Sequence, residues 1–201
     1  MILLTVDKMK NKTILELYKR PQTVFTLKEI SLLFPNIPYD NLKEQMSYFA
    51  KSGAIKNIHR GIYVKDNFDP LELANKLYVP SYVSLESVLQ KAGVTFQYYE
   101  RIFVVSYVSR TVEVDRYTIE YRRISKDILL NKRGIEEQNN IAIASVERAF
   151  MDAVYLYKNY HFDNLSTLNW DKIMELKTIY ASRLFNKRID EYYKIYKEEH
   201  A

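Results

Sequence analysis

Short helices cut off by proline and glycine fill the first 65 residues, and their order limits the fold more than any other feature of the sequence. Apolar residues at Met9, Ile14, Leu15 and Leu17 among lysines predict an amphipathic helix over Val6 to Tyr18, halted by Pro21. Thr26 is a natural N-cap for Leu27 to Phe34. Glu29 stands three residues on, where its carboxylate can return a hydrogen bond to the Thr26 amide, and Pro35 ends the run. A third helix is expected from Tyr39 or Asp40 to Ser52, with Leu42, Met46 and Phe49 or Ala50 turned inward and Gly53 as its stop. Ala54 to Ile58, a turn at His59-Arg60-Gly61, and Ile62 to Lys65 have the composition of a small hairpin. Three helices followed by a hairpin is the order of a winged helix-turn-helix.

Such a module lays its third helix in the major groove of DNA and reaches flanking backbone with its hairpin. The solvent face of the third helix offers Asn41, Lys43, Glu44, Ser47, Tyr48 and Lys51. Asn41, Lys43, Ser47, Tyr48 and Lys51 are the expected DNA contacts, with Lys56, His59 and Arg60 of the hairpin meeting phosphate. A polar helix face is also what solvation alone selects, so the placement of charge matters. The formal net charge is +5; residues 1–65 hold eleven Lys and Arg against five Asp and Glu, and the remainder nineteen against twenty. The excess that would attract a polyanion therefore lies in the N-terminal part.

From Asp66 the texture changes, which places a domain boundary between residues 1–65 and 66–201. Pro70 to Leu77 reads as a helix with proline in its first turn, and Ser84 to Gly93 as another, capped by serine or the segment before it. Ile102 to Ser106, Thr111 to Val114 and Tyr117 to Arg122 are β-branched and aromatic, predicting three sequential strands of an antiparallel sheet. Ile141 to Ala144 can add a strand, Ser145 caps a helix from Val146 to about Tyr157, and the last forty residues read as helical. The expected class is α+β: a winged helix-turn-helix, then a mixed domain with an antiparallel sheet and a helical C-terminus.

The chain has no cysteine, and His59, His161 and His200 are scattered, which argues against disulfides and metal clusters. There is no glycine-rich phosphate loop, clustered acid pair or nucleophile with a base, so no catalytic residue, cofactor or metal is assigned and an enzyme is not expected. Glu136-Glu137 and Glu198-Glu199 read as solvated charge in a loop and a tail. Asp7 and Lys8 cut short the apolar start, and no apolar run approaches the roughly 20 residues that span a bilayer, so the expected location is the cytoplasm.

Four segments are familiar as a set: Arg60 to Val64, Asp69 to Ala74, Pro80 to Leu89 with its Pro-Ser-Tyr-Val-Ser-Leu-Glu-Ser string, and Ile143 to Asp152. Together they resemble the AbiEi family, antitoxins of type IV toxin-antitoxin systems with an N-terminal winged helix-turn-helix and a C-terminal antitoxin domain. The resemblance covers roughly residues 5 to 160, with a departure at Val146, where the family commonly has proline. It implies repression of the protein's own operon at inverted repeats in its promoter, and a second domain that counters a nucleotidyltransferase-like toxin without need of a stable complex. The residues by themselves also leave open a ligand-responsive winged-helix transcription factor and a DNA-targeted nuclease.

Three groups in the second part invite functional readings. Ser84 to Ser87 reads mainly as helix capping and core, and Glu147-Arg148 as an acid and an exposed base opening a helix. Tyr98, Tyr99, Tyr107, Tyr117 and Tyr121 with Arg122 and Arg123 have the composition of a stacking platform for single-stranded nucleic acid, though tyrosines along strands usually pack on one face.

Overall fold

The computed structural model of the chain describes residues 12–199, which form a mixed α+β structure of two compact units dividing after Leu77. In the first unit, residues 12–19 are helical (α1); residues 6–11 of the expected first helix lie outside the described residues. After Pro21 come β1 (Val24–Thr26), α2 (Leu27–Leu33), α3 (Tyr39–Lys51), β2 (Lys56–His59), β3 (Ile62–Val64) and α4 (Pro70–Leu77). The Thr26 hydroxyl accepts from the Glu29 amide at 3.1 Å, and the Glu29 carboxylate accepts from the Thr26 amide at 2.7 Å, closing the capping box that fixes where α2 begins.

Leu42, Met46 and Phe49 of α3 join Leu17, Phe25, Ile30, Ile55 and Tyr63 in one core, while Ala50 is only partly buried against it. The three strands form an antiparallel sheet in the order β1-β3-β2. β1 has no counterpart in the sequence expectation; three residues are too few to display an alternation. The hairpin turn is Arg60-Gly61, with His59 still paired opposite Ile62, and Gly61 takes a φ of 73° that favours glycine.

The boundary falls twelve residues beyond the expected one, because α4 belongs to the first unit. Glu72, 2% exposed, accepts the Thr23 amide at 2.8 Å and its hydroxyl at 2.7 Å, and Lys76 donates to the Val24 carbonyl at 2.6 Å while pairing with Glu72 at 3.2 Å. Those bonds tie α4 to the residues that open β1.

The second unit contains β4 (Ser81–Val83), α5 (Glu86–Leu89), β5 (Arg101–Ser106), β6 (Arg110–Val114), β7 (Tyr117–Arg123), α6 (Lys126–Leu130), β8 (Ile135–Gln138), β9 (Ile141–Ala144), α7 (Val146–Leu156), α8 (Trp170–Leu176), a 3-10 turn at Lys177–Tyr180 and α9 (Arg183–Glu199). Its six-stranded sheet runs β6-β7-β5-β4-β9-β8 and is mixed, not antiparallel throughout. β5 and β7 pair in parallel, Arg101 opposite Thr118 through Ser106 opposite Arg123, because residues 107–109 carry the chain past the end of β7 and the β6-β7 hairpin folds back into the space beside β5. β4 likewise pairs in parallel with β9.

Ser145 caps α7 as expected, its side chain accepting from the Arg148 amide. Eight consecutive residues of α7, Glu147 to Val154, are buried, and α7 packs on β9, α5, α8 and α9. Two helical expectations are too long. α5 is a single turn, with no side-chain cap, and residues 162–169 before α8 are not helical. Glu136 and Glu137 lie on edge strand β8, not in a loop, and Glu198-Glu199 close α9.

Candidate nucleic-acid interface

Successive residues of an α-helix turn by about 100°, so residues 43, 47 and 51 stack along one line with 44 and 48 beside it. Leu42, Met46 and Phe49 occupy the opposite side and are buried, which turns Asn41, Lys43, Glu44, Ser47, Tyr48 and Lys51 outward, and all six are exposed. The ring of Tyr48 stands edge-on to Phe49 with centroids 5.8 Å apart, which anchors the tyrosine at the margin of this face. Asp40 lies on the same side, in the first turn, where the positive end of the helix dipole favours an acid.

Lys51 and Ser47 meet Lys56 of β2 across a cleft of about 420 Å³ that Ala50, Asn57 and Tyr63 complete. Burial pushes the Tyr63 phenol above its usual value, so at neutral pH it keeps its proton. The ammonium groups of Lys51 and Lys56 and the hydroxyls of Ser47 and Tyr63 belong to residues lining one cleft, donors suited to an anionic oxygen such as that of a phosphodiester. Asn41, Lys43 and Tyr48 share the helix face without lining the cleft.

His59 and Arg60 stand exposed at the hairpin end and are not among the cleft's lining residues. The hairpin is short and fixed. The Asn57 side chain donates to the His59 and Ile62 carbonyls, each at 3.0 Å, across a register irregularity, and the Gly61 carbonyl accepts from the Leu27 amide at 2.8 Å. That last bond ties the turn to the start of α2, so Arg60 projects from a stiff corner.

In the second unit, Arg148 is fully buried, not an exposed base, and it centres a polar network. Its guanidinium contacts Asp152 at 3.4 Å, donates to the carbonyls of Ile128 at 2.8 Å and Arg133 at 2.9 Å, and donates to the Tyr82 hydroxyl at 3.1 Å. Asp152 also accepts from Tyr180 at 2.7 Å, Ser84 at 2.8 Å and Tyr82 at 3.2 Å. Burial pushes its carboxyl up, while Arg148 and the three hydroxyls pull it back. Gly134 packs so closely that a Cβ there would lie 3.0 Å from the Arg148 Cβ.

Ser84 therefore serves Asp152, not a helix end. Sequence reasoning missed this network, although Arg and Asp four residues apart in the otherwise apolar Ala149-Phe150-Met151-Ala153-Val154 setting are its visible trace. Glu147, just before it, is held below the usual carboxylate range. Burial raises it, but its own amide and Lys172, 3.0 Å away, outweigh that.

Next to Ser84, Leu85 takes φ 56° and ψ −139°, a backbone state almost confined to glycine, and aims the chain so that Glu86 is buried. Burial pushes the Glu86 carboxyl up despite hydrogen bonds from its own amide and Tyr160. The tyrosine and arginine group does not assemble into a platform. Tyr121 is 1% exposed and packs edge-on against Tyr78, whereas Tyr98 and Tyr107 are exposed in separate connections. Arg122 pairs with Glu120 at 2.7 Å and lies over the Tyr157 ring.

Among the described residues there is no cluster of three metal-ligating side chains, and no helix is long and apolar enough to cross a membrane. Compared with family models and with curated proteins, the sequence matches none.

Proposed function

We propose that the first unit is a winged helix-turn-helix that binds double-stranded DNA, and that the protein is the autorepressor and antitoxin of a type IV toxin-antitoxin operon in the cytoplasm. The observation that carries the DNA half is the outward face of α3. Its polar side chains lie opposite the core, and two of them join Lys56 in a donor-lined cleft. The element order α1-β1-α2-α3-β2-β3, with β3 central in the sheet and Arg60 on a fixed corner, supports the same reading. Inverted repeats in the protein's own promoter are the proposed target, occupied by two copies.

The antitoxin half rests on the resemblance of the segments around Tyr82 and Arg148 to the AbiEi family. The second unit is proposed to counter a nucleotidyltransferase-like toxin, with no stable complex required.

The test uses the full chain on its own upstream DNA, with a variant lacking residues 1–77 as control. A mobility shift that weakens steeply with salt and vanishes in the truncated protein is expected; a shift that survives truncation overturns the assignment of DNA binding to the first unit. Co-expression with an adjacent nucleotidyltransferase-like gene should relieve its toxicity, and unrelieved toxicity with both proteins present overturns the antitoxin half.

A further inference from the structure

Glu44 lies in the middle of the exposed face of α3 and forms no ion pair or hydrogen bond among the described residues. Its helical neighbours at three and four residues' distance are Asp40, Asn41, Ser47 and Tyr48, none of them cationic. It also lies beyond the first turn, so the helix dipole that accounts for Asp40 does not account for Glu44. Ion pairing and the helix dipole therefore give no reason for a negative charge here, and Asp40 repels it.

Attraction to phosphate gives none either. A carboxylate on the face that carries Lys43 and Lys51 opposes every sequence-independent contact with a polyanion. In the floor of the major groove a carboxylate can accept from the exocyclic amino group of cytosine or of adenine, but adenine sets its N7 acceptor beside that amino group and so repels the second carboxylate oxygen, while guanine presents two acceptors there and thymine an acceptor and a methyl group, which leaves cytosine the best partner.

From this placement we infer that Glu44 is a specificity-determining residue that reads a C·G base pair in each half-site by accepting from the cytosine amino group. The inference rests on the proposed entry of α3 into the major groove. In this division Lys43, Lys51 and Lys56 hold the backbone, while Glu44 excludes thymine and guanine by facing their acceptors with negative charge.

Selection from a library of random duplexes by the full chain tests it, with Glu44→Ala and Glu44→Gln compared against the parent protein and circular dichroism verifying their fold. The parent should enrich a motif with one fixed C·G pair per half-site. Glu44→Ala should keep the rest of the motif, lose discrimination at that pair by about tenfold or more, and bind non-specific duplex more tightly. Glu44→Gln should move the preference at that position toward adenine, whose N6 and N7 match an amide. An unchanged motif in both variants overturns this inference and leaves DNA binding intact, whereas failure of the parent chain to enrich any motif overturns the DNA-binding proposal itself.

Discussion

At the scale of residues, Arg148 and Asp152 show why a buried ion pair cannot be judged by its length. Both are fully excluded from solvent, and their contact is a long 3.4 Å, yet each is satisfied by further groups: Tyr82 of β4, Ser84 just beyond it, the Ile128 carbonyl of α6 and Tyr180 of the 3-10 turn. Removing one partner strands the other, a loss of about 3–5 kcal/mol in other proteins. Asp152→Asn keeps the volume but removes the compensating charge, so urea unfolding should show a loss of that size. An unchanged midpoint would mean that the carbonyls of Ile128 and Arg133 alone compensate the guanidinium. Glu86 gives a prediction in pH. Its folded pKa is raised by burial, so above the unfolded value of about 4.3 the folded chain holds more protons than the unfolded one. Stability is then lost as pH rises through the folded pKa, and Glu86→Gln, which has no proton to lose, should gain on the parent protein as pH rises above about 4.3. A difference in unfolding free energy that stays constant with pH would refute this origin. The sequence shows only a trace of the first network, in the spacing of Arg148 and Asp152 within an apolar run, and none of the second, because burial of Glu86 follows from tertiary packing and from the unusual backbone of Leu85.

At the scale of elements, the proposed function makes α3 and its hairpin the source of affinity for DNA. Lys43, Lys51, Lys56 and Arg60 are four cations able to meet phosphates, which implies a slope of about −3.6 in log affinity against log salt for one bound copy. Lys51→Ala should lower the magnitude of that slope by about 1 and weaken all sequences alike, as fluorescence anisotropy at several salt concentrations would measure. A slope unaffected by Lys51→Ala would remove the cleft between α3 and β2 from the interface. These elements were legible because their punctuation is local: Thr26 with Glu29, Pro35 and Gly53 act within a few residues of themselves. The sheet of the second unit was legible only in part. β5, β6 and β7 fall where their β-branched residues predict, but which strand lies beside which is decided by residues 107–109 and by the two-residue turn at Asp115-Arg116, where Asp115 takes a φ of 56°. β8 escaped notice for a related reason, since acids at Glu136 and Glu137 suit an exposed edge strand and a loop equally well.

At the scale of the whole molecule, charge and folding divide at different residues. Basic excess is greatest over residues 1–65, whereas the first compact unit extends to Leu77, because the segment from Asp66 to Leu77 adds three acids and only Lys76. Electrostatics therefore marks the segment with the greatest basic excess, the minimal DNA-binding segment if the proposed function holds, and packing marks a minimal folding one. Without α4, Thr23 loses Glu72 as acceptor for both its amide and its hydroxyl, and the Val24 carbonyl loses Lys76. The fully buried Leu73 and Ala74 leave with it. Deleting a buried leucine alone costs about 2–5 kcal/mol, against a total stability of about 5–15 kcal/mol for a small domain. A fragment of residues 1–77 should thus unfold cooperatively on heating and shift the promoter fragment with the salt dependence of the full chain. A fragment of residues 1–65, despite its higher charge density, should be largely unfolded and bind DNA weakly and without sequence preference. If the shorter fragment folds and discriminates as well as the longer one, α4 is a passenger on the first unit, and the boundary belongs where the charge changes.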